Sequence, residues 1–492
     1  MRVLLYGGFG GWLNFGDLLQ LRGILRFYQN RNFNPLILLH KGSLQSPFHL
    51  ELLKTHLSED LLFYDRGKFL GADFKEVSGL EVDIFHLYGG GFFNTFWGKA
   101  QLEVVERALH FFKPRRYFIT GQQVSKDFLP PLKRHIELFK PEVFAVRDAE
   151  SLKICEEAGL EVEFSFDDSA EYLLEVREKI FVDVPHHFKN FKKGAFFLHL
   201  NLSYYTLGSE DEIWALRERI KPYLEEADEV ILVKSFQNYS LEVKDTLRAV
   251  DYIFLTHEKP TGRFLDLASF SLRENWEELK DHFPEIFSEK AFAVSNSYHT
   301  ALFFTFLGIP SFLIKVNPYY LQKGCEMWDG ALPQGDLKDL PEHKERQKRI
   351  LSQLLEKREE FLKRFSEVLE EEASFERPYS TDIYTYEDLS DFGITQRVEI
   401  DSYVKNLRDA LVWHEEERQK LIEYAKKLEY RVSRLEEKTA CLEGELRNLR
   451  EERDNLREEL EKIYRSRGWK VLSFYYRIKH WLLVKLGVIK EG

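Results

Sequence analysis

Cysteine is scarce in this 492-residue chain: Cys155, Cys325 and Cys441 lie far apart, and no CxxC pair occurs. That excludes a disulfide framework and a cysteine zinc site, and it fits a reducing cytoplasm. No apolar run approaches the ~18 residues that a membrane-spanning helix needs. The opening MRVLLYGGFGG has one basic residue and a short apolar run, too little for a secretory signal core. Basic charge is also in deficit, 70 Lys and Arg against 82 Asp and Glu, for a formal net charge of −12. General nucleic-acid binding needs a basic face, so that class is excluded. No metal-ligand spacing appears. A cytoplasmic protein is expected, attached at most to the inner face of the membrane.

What is present is enough apolar material for two or three domains: 44% hydrophobic and 15% aromatic residues. The runs RVLLYG, PLILLH, DIFHLYGGG, RYFITGQQ and VFAVRD read as buried parallel strands, separated by amphipathic helical patterns. A second series, AFFLHLN, EVILVKSF, YIFLTH, AFAVSN and SFLIK, repeats the alternation. Strand–helix alternation implies doubly wound α/β sheets. Two Rossmann-like domains are expected, at 1–175 and 190–335, facing a cleft that lies beyond the carboxyl ends of their strands.

A helical and irregular connector follows at 336–400, then a coiled coil at 401–465. Leu421, Leu428, Leu435, Leu442, Leu449, Leu456 and Ile463 fall seven apart, which predicts a homo-oligomer through 421–463. The tail 466–492, with RSRGWKVLSFYYRIKHWLLVK, is basic and aromatic. It suits either an anionic membrane surface or docking on the protein itself.

Four loops expected at one sheet edge carry ligand-type residues. GGFGGWLNFGD (7–17) leads into Asp17; its glycines, at 7, 8, 10, 11 and 16, do not form the dinucleotide fingerprint. LYGGGFFN (87–94), FITGQQV (118–124) and VRDAES (146–151) are the other three. FSFDDSAEYLL (164–174) sets two carboxylates before a helix. VSNSYHTALFF places His299 at a strand-to-helix turn, where unpaired backbone N–H groups attract anions.

The ordered set Gly8-x-x-Gly11-x-x-Asn14-x-Gly16-Asp17, Gly89-Gly90-Gly91, Arg147-Asp148-x-x-Ser151, Asp168, a Ser-x-Ser-x-His turn and a late lysine resembles the polysaccharide pyruvyl transferase family over about residues 3–330. The resemblance implies two domains of glycosyltransferase-B-like architecture. It also implies transfer of pyruvate from phosphoenolpyruvate to a sugar, or to a lipid-linked glycan, with no cofactor and no metal. His299 is then the expected acid, and Asp17 or Asp168 the base. Asn14, Gly16, Gly89, Gly90, Gly91, Arg147, Ser295, Ser297 and Lys323 would bind the donor. One departure stands out: Ser297 occupies the place where many members carry an arginine. Two other readings stay open, a nucleotide-sugar glycosyltransferase and a non-catalytic glycan-assembly protein. The tail is also similar to those that follow coiled coils in bacterial surface-glycan glycosyltransferases.

Overall fold

The computed structural model describes residues 1–8, 14–44, 47–57, 60–95, 97–183, 194–200, 227–235, 263–274, 290–314, 327–328, 340–371 and 446–488, with isolated residues between these segments. The chain divides into two units, Met1–Tyr379 and Ser380–Gly492.

The first unit holds two α/β sheets. Among the described residues the first sheet has nine strands: β1 (Arg2–Tyr6), β2 (Asn34–His40), β3 (Asp60–Asp65), β4 (Lys68–Leu70), β5 (Ile84–Leu87), β6 (Gly90–Phe93), β7 (Arg116–Val124), β8 (Val143–Val146) and β9 (Glu163–Phe164). Their order is β4-β3-β2-β1-β5-β7-β8-β9, with β6 paired to β7, and β4 is antiparallel to β3. The second sheet has β10 (Ala195–His199), β11 (Glu229–Lys234), β12 (Arg263–Asp266), β13 (Phe292–Ser295) and β14 (Ser311–Leu313), all parallel, in the order β12-β11-β10-β13-β14. Both sheets are Rossmann-like, as expected. Their strands are buried on both faces, which is why they read as continuous apolar runs rather than alternating ones.

One element differs from the reading of the sequence. FITGQQV is not a loop but the last part of β7, all nine of whose residues are buried. Gly121, at φ +63°, and a register shift between Ile119 and Gln122 give the strand an irregular, loop-like pattern in sequence. The expected strand YIFLTH (252–257) lies outside the described residues, and the edge strand seen is β12.

Helices cover the sheets: α1 (Phe15–Gln29), α2 (Pro47–Leu57), α3 (Gly98–Phe112), α4 (Leu129–Phe139), α5 (Ala149–Glu157), α6 (Ala170–Asp183), α7 (Leu267–Arg273), α8 (Tyr298–Phe306) and α9 (Leu340–Glu370). Helix α1 is buried nearly all round because it packs against α6, α7 and α8 and so stands between the two sheets. It starts at Asn14, whose side chain accepts from the Gly16 amide at 2.8 Å. The Phe15 amide donates to the Ser235 carbonyl just beyond β11.

Helix α9 is more than the connector expected from its charge. Leu351, Leu354, Arg358, Phe361, Phe365 and Leu369 recur every three or four residues and form a buried stripe. Leu351 and Leu354 join the core shared with the second sheet, while Phe361, Phe365 and Leu369 enter the core under the first. Burying each phenylalanine contributes about 2–3 kcal/mol, so α9 ties both sheets together.

In the second unit, residues 446–465 are helical, and Ser466 caps a separate helix, α10 (Arg467–Lys485). Leu435, Leu442, Leu449, Leu456 and Ile463 are exposed. Leu421 and Leu428 lie outside the described residues. No described helix is long and apolar enough to cross a membrane.

Candidate functional site

In an open parallel sheet, the crevice lies where neighbouring strands send their connections to opposite sides. In the first sheet that point falls between β1 and β5, whose carboxyl ends run into Gly7–Gly8 and Tyr88–Gly91. In the second it falls between β10 and β13, so Ser295, Ser297 and His299 stand at its mouth. The two mouths meet. Gly16, at the start of α1, lies so close to His299 that a β-carbon there would sit 2.3 Å from the imidazole Nδ1. Only a residue without a side chain lets the two helix starts approach this closely.

Asp167 is the hub of the meeting point. Its Oδ2 faces His299 Nε2 at 3.3 Å and accepts from Gln20 Nε2 at 3.2 Å and Arg147 Nη1 at 3.4 Å. Its Oδ1 accepts from the Ser169 amide and hydroxyl at 3.0 and 2.6 Å. Burial alone would raise the pKa of this carboxyl. The charge and hydrogen bond of His299, then Arg147 and Ser169, outweigh burial and hold it well below the usual carboxylate range. Arg147 is itself buried: Nη2 donates to Gln123 Oε1 at 2.6 Å, and its guanidinium lies 4.3 Å from the centre of the Tyr298 ring. The His299 side chain keeps 12% of its surface exposed, whereas Asp167 keeps none. His299 can therefore touch a ligand, while Asp167 can only hold what does.

Asp168, expected among the acid–base residues, is placed elsewhere. It accepts from the Gly89 amide at 2.8 Å and the Thr120 hydroxyl at 2.7 Å through Oδ2, and from Arg358 Nη1 at 2.8 Å through Oδ1. Burial pushes this carboxyl up, with Arg358, Thr120 and Gly89 opposing. Arg358, from α9, also donates twice to Glu171 and once to the Ser165 carbonyl. Asp168 is thus a joint linking the loop after β5, strand β7 and α9. The carboxylate that meets His299 is its neighbour Asp167. The double acid was visible in FSFDDS, but composition gives no way to choose between adjacent residues. Arg358 carried a usable signal, an arginine falling on the apolar stripe of α9.

The second sheet supplies a neutral frame. His199, the last residue of β10, is fully buried between the Ser295 hydroxyl (2.9 Å from Nδ1) and the Ser235 hydroxyl (2.7 Å from Nε2). Burial lowers its pKa to about 3, so it is neutral at ordinary pH. Ser295 Oγ in turn accepts from the Ser297 amide at 2.8 Å, which shapes the turn before α8. Sequence reading named Ser295 and Ser297 but missed His199, an imidazole inside an apolar strand.

The other expected residues are placed as follows. Asn14 is the cap of α1. Asp17 lies in the first turn of that helix, partly exposed, with Gly8 packed against its carboxylate. Gly89 and Gly90 have positive φ, +27° and +123°, and Gly89 backs onto the Gln20 side chain. Gly91 is in β6. Ser297 caps α8 through its backbone, with no side-chain hydrogen bond to the helix. Lys323 lies outside the described residues. Asp148 caps α5 by accepting from the Ser151 amide and hydroxyl.

A family model described as polysaccharide pyruvyl transferase matches residues 14–318. Among curated proteins none matches the chain. The chain is also similar to solved structures, among them these two. UDP-GlcNAc 2-epimerase from Neisseria meningitidis is 12% identical, with a TM-score of 0.40, over 77% of this chain and 96% of its own. The N-terminal domain of trehalose-6-phosphate phosphatase from Candida albicans is 11% identical, with a TM-score of 0.42, over 76% and 97%.

Proposed function

The chain belongs to the polysaccharide pyruvyl transferase family and is a transferase, and we propose that it moves pyruvate from phosphoenolpyruvate onto two hydroxyls of a sugar as a ketal. The observation that carries this reading is the His299–Asp167 pair. A histidine reaches the cleft at the start of a helix, held by a buried carboxylate that stays ionised.

The chemistry follows from that pair. His299 gives a proton to the methylene carbon of the donor, and positive charge develops on the adjacent carbon. One sugar hydroxyl attacks that carbon and releases its proton to Asp17, the partly exposed carboxylate beside Gly16. Phosphate leaves with the carbon–oxygen bond electrons. The second hydroxyl then closes the ketal, and its proton leaves with the phosphate. Asp167 is too acidic to serve as base; it orients His299. The amide ends of α1 and α8, with Arg147, supply positive potential for the donor's phosphate and carboxylate.

One observation favours a second reading, transfer from a nucleotide sugar: Ser297 stands where many members carry an arginine for the donor. Thermal-shift measurements separate the two, because a ligand that binds the native state raises its melting temperature. Phosphoenolpyruvate is expected to raise it, and Arg147→Ala to abolish the rise. A rise with UDP- or GDP-sugars and none with phosphoenolpyruvate would replace this reading with the second.

A further inference from the structure

The charge pattern changes abruptly at Ser466. Residues 446–465 carry six acidic and six basic side chains, interspersed as on an ordinary solvated helix. Helix α10 (Arg467–Lys485) carries five cations, Arg467, Lys470, Arg477, Lys479 and Lys485, and no acid at all, in a chain whose net charge is −12. Ser466 separates the two segments physically, accepting from the Trp469 amide at 3.1 Å as the cap of a new helix. A change in solvent preference thus coincides with a break in the backbone path.

Helix α10 also has an apolar face. Val471, Phe474, Tyr475, Ile478, Trp481 and Leu482 recur at helical spacing, so they share one side. They are exposed, Val471 at 69% and Phe474 at 66%. At about 100° per residue, Lys470 and Arg477 flank this face on one side and Lys479 on the other. Flanking cations of this length can keep their charges at a polar boundary while their stems run along an apolar surface. The helix is too polar to cross a bilayer, and aromatic side chains are the residues that favour a bilayer's interface. A protein partner would need both an apolar groove and an acidic rim. An anionic lipid surface offers both, with no shape to match.

We propose that α10 lies in the plane of an anionic lipid surface, with the Phe474–Trp481 face in the acyl boundary and Lys470, Arg477 and Lys479 among the headgroups. The inference does not depend on the reaction proposed for the first unit. The test is co-sedimentation of the full-length protein with vesicles of phosphatidylcholine alone, and of phosphatidylcholine mixed with phosphatidylglycerol. Binding is expected to the mixed vesicles only, and to fall as salt is raised. Changing Lys470, Arg477 and Lys479 together to Gln should weaken it roughly 10²-fold, since each cation near such a surface contributes about fivefold. Phe474→Ser with Trp481→Ser should weaken it as well. All of these side chains are exposed, so the fold should survive the changes. Equal binding to both kinds of vesicle, or none to either, would overturn the proposal. So would an unchanged affinity in the Gln variant. Self-association abolished by Phe474→Ser with Trp481→Ser, in protein that ignores vesicles, would show that a second copy covers the face instead.

Discussion

At the edge of the first sheet, the buried polar network is built on ion pairs, Asp167 with Arg147 and Asp168 with Arg358. At the edge of the second they are neutral, His199 between Ser235 and Ser295. The two designs respond to perturbation differently. A buried ion pair fixes position firmly, but losing one partner strands the other charge away from water. A neutral network loses less per bond, yet protonating its imidazole destroys it. His299 belongs to both edges: its backbone grows from the second sheet, and its side chain is held by a charge on the first.

The largest effect should come from breaking the charged edge. Arg358→Ala leaves Asp168 and Glu171 without their buried cation and should cost about 3–5 kcal/mol of stability. Denaturant titration measures this. A loss under about 1 kcal/mol would mean that Asp168 is not the joint described.

Next is the contact between the edges. Gly16→Ala puts a methyl group where the His299 ring now lies, so the ring must move. Turnover should fall at least about tenfold, because small misplacements near the reacting atoms are costly. Overpacking should cost about 1–3 kcal/mol of stability. Unchanged turnover would mean that the ring position is not critical.

The neutral edge should show itself in acid. His199 has its pKa lowered to about 3 by burial, and His86, a buried imidazole of β5 in the first sheet set between the Tyr28 and Thr120 hydroxyls, is lowered as far by burial and then Arg358. Below their ordinary value of roughly 6.5, the unfolded chain takes up protons that the native one refuses. Their stabilisation is therefore complete above about pH 6.5 and is lost as pH falls toward about 3. Each histidine contributes a slope approaching about 1.4 kcal/mol per pH unit. Melting curves of wild type and His199→Asn between these limits should differ by one histidine's slope. Parallel curves would contradict a neutral, buried His199.

How legible this contrast was depends on what kind of signal each part leaves. The sheets announced themselves, because strands buried on both faces are apolar throughout, and Gly308 and Pro310 marked the end of α8. His299 was legible because a polar turn broke between an apolar strand and an apolar helix. Strand β7 is legible in RYFITGQQ, but Gly121 and two glutamines give its end the look of a loop when the sheet around them is unseen. Asp167 and Asp168 differ in role only through the backbone direction after Phe166, which has a φ of +57°. Arg358 lies about 190 residues from its partner Asp168; nothing local in the sequence joins them. His199 was missed because an imidazole within a run of aromatic and aliphatic residues has no partner in view until the neighbouring strands bring their serines.

The smallest effect on the first unit should come from the second. The heptad leucines are expected to bury their exposed stripe in a dimer. Replacing Leu435, Leu442 and Leu449 by Ser should give monomers in light scattering, with the melting temperature of the first unit little changed. If residues 1–400 alone keep the full-length oligomeric state, the heptads do not drive assembly.

His299, held by Asp167, is proposed as the proton donor of the reaction. The direct measurement is phosphate release from phosphoenolpyruvate by wild type and His299→Asn, with the donor's thermal shift recorded for both. Asparagine keeps the size and polarity of the side chain but cannot titrate. For a proton donor, turnover should fall about 10²-fold or more with the thermal shift retained. Turnover within a few-fold of wild type would contradict it and leave His299 as a residue of the fold alone.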